Sequence, residues 1–338
     1  MTTVLPIDFP IGMNPHFLDS GAFSLFSRNR DNPEFFRSRD FWDYVDDYAR
    51  FIKTYATAID YYANVDVIKN PKRTYKIQKY LEKKHGLQPI PVVHYGDDLY
   101  WLQVYLDEKH PYIALGGVPS GKLHLKTQTR MRVWYRDWAD TAFSMICNTP
   151  DRLPQCKVHG FGVTQFRHMR RYPWFSVDST AWIMKAAYGQ IMVPPSRMGE
   201  FVFDKPYRLL FIGEDSPYSD TTKSSIPKPK SQVRNLLTHE VHRRTTHKHV
   251  SSIKKHFLTL APTIERQRVL DWLKEIDVPL GRSKKSGKVL EPGVSNCILQ
   301  RAAANIRYYQ CLVASLPEWP WPFNPTQRRI TLREAFSK

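Results

Sequence analysis

Between about residue 15 and residue 182, short apolar runs alternate with longer polar stretches of helical character. The apolar runs fall at 17–23, 61–68, 90–95, 112–118, 157–163 and 174–179. Each has the length of a buried strand, and most are rich in Val, Ile, Tyr or Phe. Between them lie 40–58, 71–85, 97–109 and a long stretch at 127–149. In the first of these, Phe41, Val45, Tyr48, Phe51, Ile52 and Tyr55 recur at spacings that put them on one helical face. Strands that alternate with helices make βα units and a parallel sheet. A chain of 338 residues has room for a large core. The expected fold is therefore α/β, a closed TIM-type (β/α)8 barrel, with an open doubly wound sheet as the second choice.

The pattern changes after residue 183. Pro194, Pro195, Pro206, Pro217, Pro227 and Pro229 interrupt the segment to 232, and SDTTKSSIPKPKS reads as an exposed loop. Residues 209–213 suit a strand. The basic segment 232–257 reads as a helix, and 263–276 and 295–316 as two more, separated by the flexible GRSKKSGK stretch. The expected division is residues 1–215 as the main part of a catalytic barrel. Residues 216–338 would form a basic loop and C-terminal helices that pack on the barrel or complete it.

Charge narrows the partners. Fifty Lys and Arg against 32 Asp and Glu give a net charge of +18. Each cation set on a phosphate releases counterions, so nucleic acid is the expected partner. No apolar run of membrane-spanning length is present, and a secretory leader is not expected. Cys147, Cys156, Cys297 and Cys311 form no closely spaced pair. A reducing, cytoplasmic setting with no membrane partner is expected.

On parallel βα folds chemistry gathers where strands end. The polar residues at those positions are Asp19, Asp66, His94, the Gly116–Gly117 pair and Asp178. In LDSGAFSLF (18–26) a carboxylate precedes small residues that let a flat ligand approach the backbone, although Asp-Ser-Gly is also ordinary turn or cap chemistry. YIALGGV (112–118) ends in two glycines that expose backbone N–H groups or simply make a tight turn. In FSVDSTAW (175–182), Asp178 suits a nucleophile, a cation ligand or a cap alike.

Taken in order, DSGAF, ANVD, VVHYG, ALGGV, HGFGV and FSVDST resemble the motif series of the tRNA-guanine transglycosylase superfamily, especially its phage members that place 7-deazaguanine in DNA. AANIRYYQCL (303–312) resembles a C-terminal helix of the same family. The resemblance covers roughly 15–185 and 300–315. It implies that Asp178 is the nucleophile and Asp19 the general acid/base. It further implies that Asp66 reads a guanine-like edge, that Gly116 and Gly117 donate from the backbone to the ring carbonyl, and that Ser20 assists. Displacement at C1′ passes through an oxocarbenium-like state that one carboxylate can capture while a second moves the base's proton. An ionised carboxylate is an acceptor-only partner for the two donors of a guanine edge.

Several positions depart from the family pattern. Ala22 stands where the family has a second glycine, Ser24 replaces a glutamine, and His94 occupies the pocket-glutamine position as a candidate base contact. Ser-Thr-Ala-Trp follows Asp178 in place of Pro-Thr-Arg. The family's zinc ligands have no counterpart, since no cysteine lies between Cys156 and Cys297. His239, His242, His247, His249 and His256 lack thiols beside them and sit among basic residues, so no metal and no bound cofactor is expected. Arg243, Arg244, Lys248, Lys254 and Lys255 are instead expected to face nucleic acid.

The compact chain without a zinc subdomain fits DNA better than tRNA as the polymer, with a free 7-deazaguanine base, such as 7-cyano-7-deazaguanine, as co-substrate. The nucleotide would have to leave the stack, and Phe23, Tyr95, Phe161 and Trp182 are aromatic candidates to sandwich it. A tRNA-directed enzyme and a non-catalytic nucleic-acid-binding barrel are the alternatives.

Overall fold

Asn70 and Pro71 show how locally the elements are specified. The Asn70 side chain accepts from the Arg73 N–H at 3.1 Å, and Pro71 supplies the first helical position, where no N–H is needed. The helix they start ends at Gly86, whose φ of 63° is the left-handed stop that glycine provides without a Cβ clash. In the computed structural model the described residues are 17–29, 31–117, 125–213, 233–234, 241–242, 264–284 and 287–325.

The chain divides into two units, one drawing its described residues from 17–178 and 318–325, the other from 179–317. By compactness the chain separates after Asp178.

The first unit alternates strand and helix as expected: β1 (Phe17–Leu18), α1 (Ala22–Arg28), α2 (Arg39–Thr54), β2 (Tyr61–Tyr62), α3 (Pro71–His85), β3 (Val92–His94), α4 (Tyr100–Asp107), β4 (Tyr112–Gly116), α5 (Leu125–Ile146), β5 (Lys157–Gly160), α6 (Phe166–Arg171) and β6 (Ser176–Val177). β3, β4, β5 and β6 form a four-stranded parallel sheet in chain order. β1 pairs in parallel with β2. A parallel bridge between Ala63 and Ile90 then carries the pairing from β2 towards β3, helped by the Asn64 N–H on the Ile90 carbonyl at 2.9 Å.

This sheet is strongly curled. β1 and β5 are four strand intervals apart, about 19 Å in a flat sheet. Yet Phe17 of β1 stacks on His159 of β5 with ring centroids 4.3 Å apart, and Lys157 Nζ of β5 donates to the Tyr61 hydroxyl of β2 at 3.0 Å. The concave side is filled by Ala63, Ile90, Val92, Tyr112 and Ala114, with Phe17, Tyr61, Phe161 and Phe175 packed on them. The helical side has its own core, in which Phe41, Val45, Ala49 and Ile52 of α2 meet Ile77 and Leu81 of α3 and Val65 and Val67 beyond β2. Of the apolar face read from the sequence, Phe51 and Tyr55 fall outside this core and pack on each other, ring centroids 4.6 Å apart.

A closed eight-stranded ring is not formed by the described strands. The next apolar segment, β7 (Gln190–Val193), belongs to the second unit and pairs antiparallel with β10 (Arg208–Phe211), which fills the place expected for a strand at 209–213. That unit also holds α7 (Ala181–Ala187), the short hairpin of β8 (Ser196–Arg197) and β9 (Glu200–Phe201), and the two expected C-terminal helices, α8 (Ile264–Glu275) and α9 (Ile298–Ala314). Asn305 of α9 ties these parts together, accepting from the Met192 N–H at 2.8 Å and donating to the Trp182 carbonyl at 3.0 Å.

The basic segment 232–257 is not one helix. Its described residues form β11 (Val233–Arg234) paired antiparallel with β12 (Val241–His242), and β-branched Val233 and Val241 suit that state. Among the described residues no helix is long and apolar enough to cross a membrane.

Candidate active site

Because the strands of the first unit run parallel, their C-terminal ends lie along one edge, and most of the chemistry-bearing residues fall there. Asp19 directly follows β1, His94 ends β3, Gly116 ends β4 and Asp178 directly follows β6. Asp66 lies four residues beyond β2. It is set by its neighbours: Val65 and Val67 are buried on the helical side. Thr74 of α3 accepts from the Val67 N–H at 2.9 Å, and its carbonyl receives the Asn64 side chain at 3.0 Å.

His94 and Asp66 form the tightest pair of the edge. His94 Nε2 lies 2.9 Å from Asp66 Oδ2, with each side chain only 11% exposed. On the other side of the ring, Asp97 Oδ2 lies 3.7 Å from Nδ1 and accepts the His94 backbone N–H at 3.0 Å. Burial alone would depress the imidazole. The hydrogen bond to Asp66, with the charges of Asp66 and Asp97, outweighs it and pushes the His94 pKa up to about 9. His94 is therefore an imidazolium at neutral pH, held between two carboxylates.

The double glycine serves this histidine. A Cβ on Gly116 would sit 3.2 Å from His94 Cδ2, so the missing side chain makes room for the ring. Gly117 has a φ of 78°, and a Cβ there would press on the Tyr95 backbone nitrogen at 3.1 Å. Gly116 thus lies close against the His94 ring and Gly117 takes a left-handed turn that disfavours a side chain, whatever their N–H groups bind.

Asp19 sits in the turn that launches α1. Its Oδ1 accepts from Gly21 N–H at 3.4 Å, and Gly21 takes the left-handed φ of 70°. Tyr44 of α2 fastens the turn by donating to the Ser20 carbonyl at 2.5 Å. Ser20 is buried and turned inward on its own loop, its Oγ accepting from Ala22 N–H at 3.4 Å. Asp19 opens to solvent on one side, but the protein around the rest of it raises its carboxyl above the ordinary range. The charges of Asp66 and Asp178 raise it further, while the Gly21 and Ser20 N–H groups oppose them.

Asp178, half exposed, receives the Gly162 N–H on Oδ1 at 2.7 Å, and its own N–H bonds the Gly160 carbonyl at 3.2 Å. Burial on its inner side raises its carboxyl, and the Gly162 N–H pulls in the opposite direction. The three carboxylates expected from the sequence thus lie on one edge, and two of them raise the pKa of the third.

No family model, curated protein or solved structure matches this chain.

The edge also holds residues to which the sequence reading gave no role. Tyr44, Asp97, Ser176 and His159 all bear on it, and His159 is the one with a signal in the sequence, since it opens HGFGV, directly before Gly160. Among the aromatic candidates, Phe23 of α1 is 72% exposed, Phe161 packs edge-on against His159, and Tyr95 packs edge-on against Trp138 of α5. Trp182 lies in α7 of the second unit. Arg243, Arg244, Lys248, Lys254 and Lys255 lie outside the described residues, as do His239, His247, His249 and His256. Among the described residues no group of three or more His, Cys, Asp or Glu is placed to hold a metal ion.

Proposed function

We propose that this protein exchanges guanine in DNA for a free 7-deazaguanine base by double displacement. The observation that carries this reading is the meeting of Asp19 and Asp178 on one edge of a curled parallel sheet, close enough for the charge of Asp178 to raise the Asp19 carboxyl. The curl itself, with β1 and β5 in ring contact, supports a TIM-type barrel to which the described strands contribute a large part.

In the proposed reaction a carboxylate oxygen of Asp178 bonds to C1′ of the nucleotide as the C1′–N9 bond breaks. The electron pair leaves with guanine, which takes a proton from Asp19. The incoming base then gives its N–H proton to Asp19 and attacks C1′, and the ester bond breaks to restore the Asp178 carboxylate. An acid whose pKa is raised suits the proton carrier, and an aspartate that keeps a backbone N–H on Oδ1 suits the nucleophile. Asp66 turns one oxygen to His94, leaving Oδ1 for the donors of a guanine-like edge. The net charge of +18 suits a polyanionic substrate.

The test is incubation of the protein with DNA or tRNA labelled in guanine, together with 7-cyano-7-deazaguanine. Label release from DNA, lost in Asp178→Ala, is the expected result. Release from tRNA alone would assign the polymer to RNA, and release from neither would leave a nucleic-acid-binding protein.

A further inference from the structure

Behind Asp178 runs a line of polar groups through the aromatic interior of the sheet. Tyr112 of β4 and Ser176 of β6 meet hydroxyl to hydroxyl at 2.5 Å, and Ser176 Oγ lies 2.6 Å from His159 Nδ1. His159 is 3% exposed and clamped by Phe17, stacked at 4.3 Å, and Phe161, edge-on at 4.5 Å. Its other nitrogen, Nε2, is buried without a hydrogen-bond partner and lies 3.8 Å from Asp178 Oδ1. A buried polar nitrogen left unpaired is costly unless something completes it.

The direction of the line follows from proton counting. Burial depresses the His159 pKa to about 4, so the ring is neutral and carries one proton. Ser176 has one proton to give. If it gave that proton to Tyr112, Nδ1 would be the protonated nitrogen and the lone pair of Nε2 would face a carboxylate oxygen, which is repulsive. If Tyr112 donates to Ser176 and Ser176 to Nδ1, the proton sits on Nε2 and faces Asp178, which is attractive. The second arrangement is favoured for as long as Asp178 is ionised.

We propose that His159 is a positioning residue for Asp178, presenting Nε2–H to Oδ1 so that Oδ2 is the oxygen left to attack carbon. Gly162 N–H already holds Oδ1 at 2.7 Å, and a closure of less than 1 Å by the carboxylate would bring Nε2 into hydrogen-bond range as well. With both donors on Oδ1, the free pair of Oδ2 faces outward. Once Oδ2 is bonded to C1′, Oδ1 is the ester carbonyl, and the same two donors stabilise the carboxylate as it leaves. The identity of the carbon rests on the base-exchange reading; the donor arrangement does not.

The measurements separate the two. In the wild-type protein, 15N NMR of the His159 imidazole is expected to show the Nε2–H tautomer at pH 7; an Nδ1–H tautomer would overturn the proposal. Next, the Asp178 carboxyl is titrated by 13C NMR in His159→Asn, which keeps a group for Ser176 but none at Nε2, and in His159→Gln, which restores a donor there. The Asn variant should raise the carboxyl pKa by about one unit and the Gln variant should return it towards wild type. Equal values in all three would refute the donor role. In exchange assays His159→Asn should lower kcat about tenfold or more with KM little changed, rescued by Gln. A protein that shows the tautomer and the carboxyl response but exchanges no base would retire the base-exchange reading alone.

Discussion

His94 should make this protein lose stability between mildly acidic and alkaline pH, in a way that one substitution can isolate. Its pKa is 6.5 in an unfolded chain and about 9 when folded, because Asp66 at 2.9 Å and Asp97 at 3.7 Å favour the imidazolium. A difference of about 2.5 pH units at about 1.36 kcal/mol each gives a ceiling of about 3 kcal/mol. The sign follows from proton binding: the folded state holds its proton more tightly. The stabilisation is therefore complete below pH 6.5 and disappears as pH rises through 9. Above that, Asp66 and Asp97 flank a neutral ring and their charges go uncompensated. Urea unfolding of wild type and His94→Gln at a series of pH values, each subtracted from the other, removes the titration of lysines and tyrosines elsewhere. The wild type should lose up to about 3 kcal/mol more than the variant across that window. Parallel curves, or a His94 C2 proton that titrates near 6.5, would refute the pairing.

Two further substitutions test the edge. Asp178→Asn should lower the Asp19 pKa, since one of the two charges that raise it is gone; a 13C carboxyl titration of Asp19 unchanged by the substitution would show that the two acids do not meet. Gly116→Ala places a Cβ 3.2 Å from His94 Cδ2, so it should cost about 1–3 kcal/mol in urea unfolding and pull the His94 pKa down from about 9, and an unaltered His94 titration would mean the ring has other room.

Local chemistry made some helices legible, that over 71–85 above all, but not the segment 232–257, expected as a helix and holding β11 and β12. The stretch 71–85 is bounded by the Asn70 cap, Pro71 and the Gly86 stop, and the structure keeps both ends. The strands were legible in order but not in extent. The run 17–23 keeps only Phe17–Leu18 as strand, because Gly21 turns left-handed and starts a helix at Ala22. Curling was expected only through the choice of a closed barrel, and the contacts that hold the curl were not legible. The curl arises from how bulky residues such as Phe17, Tyr112 and Phe175 share the concave side with Ala63 and Ala114, a property of neighbours distant in sequence. The site shows the same divide. Strand-end positions announced Asp19, Asp66, His94 and Asp178, since parallel order alone brings them to one edge. His159 was hidden in a motif to which no residue role was attached, and Tyr112 and Ser176 were hidden in runs read as strand core, because only the sheet register sets Ser176 beside His159 and only the folded sheet brings Tyr112 to Ser176.

The edge also explains why an arrangement so unfavourable at rest suits the proposed chemistry. Burial raises the Asp19 carboxyl most and the charges of Asp66 and Asp178 add to it, while the His94 imidazolium, itself shared with Asp97, offsets part of the acidic charge. A neutral base or sugar entering this edge would offset none of the remainder. An oxocarbenium-like sugar would, because its positive charge develops at the carbon that Asp178 faces and peaks only in the transition state. Groups fixed by Gly162, Tyr44 and the Asp66–His94 pair need little rearrangement to meet that charge, which is the condition for electrostatic stabilisation to favour the transition state over the bound substrate. In the proposed reaction, the burial and neighbouring charges that raise Asp19 favour its carrying the proton for the leaving base, and the carboxylates of Asp66 and Asp178 leave the edge in want of a cation as that proton moves.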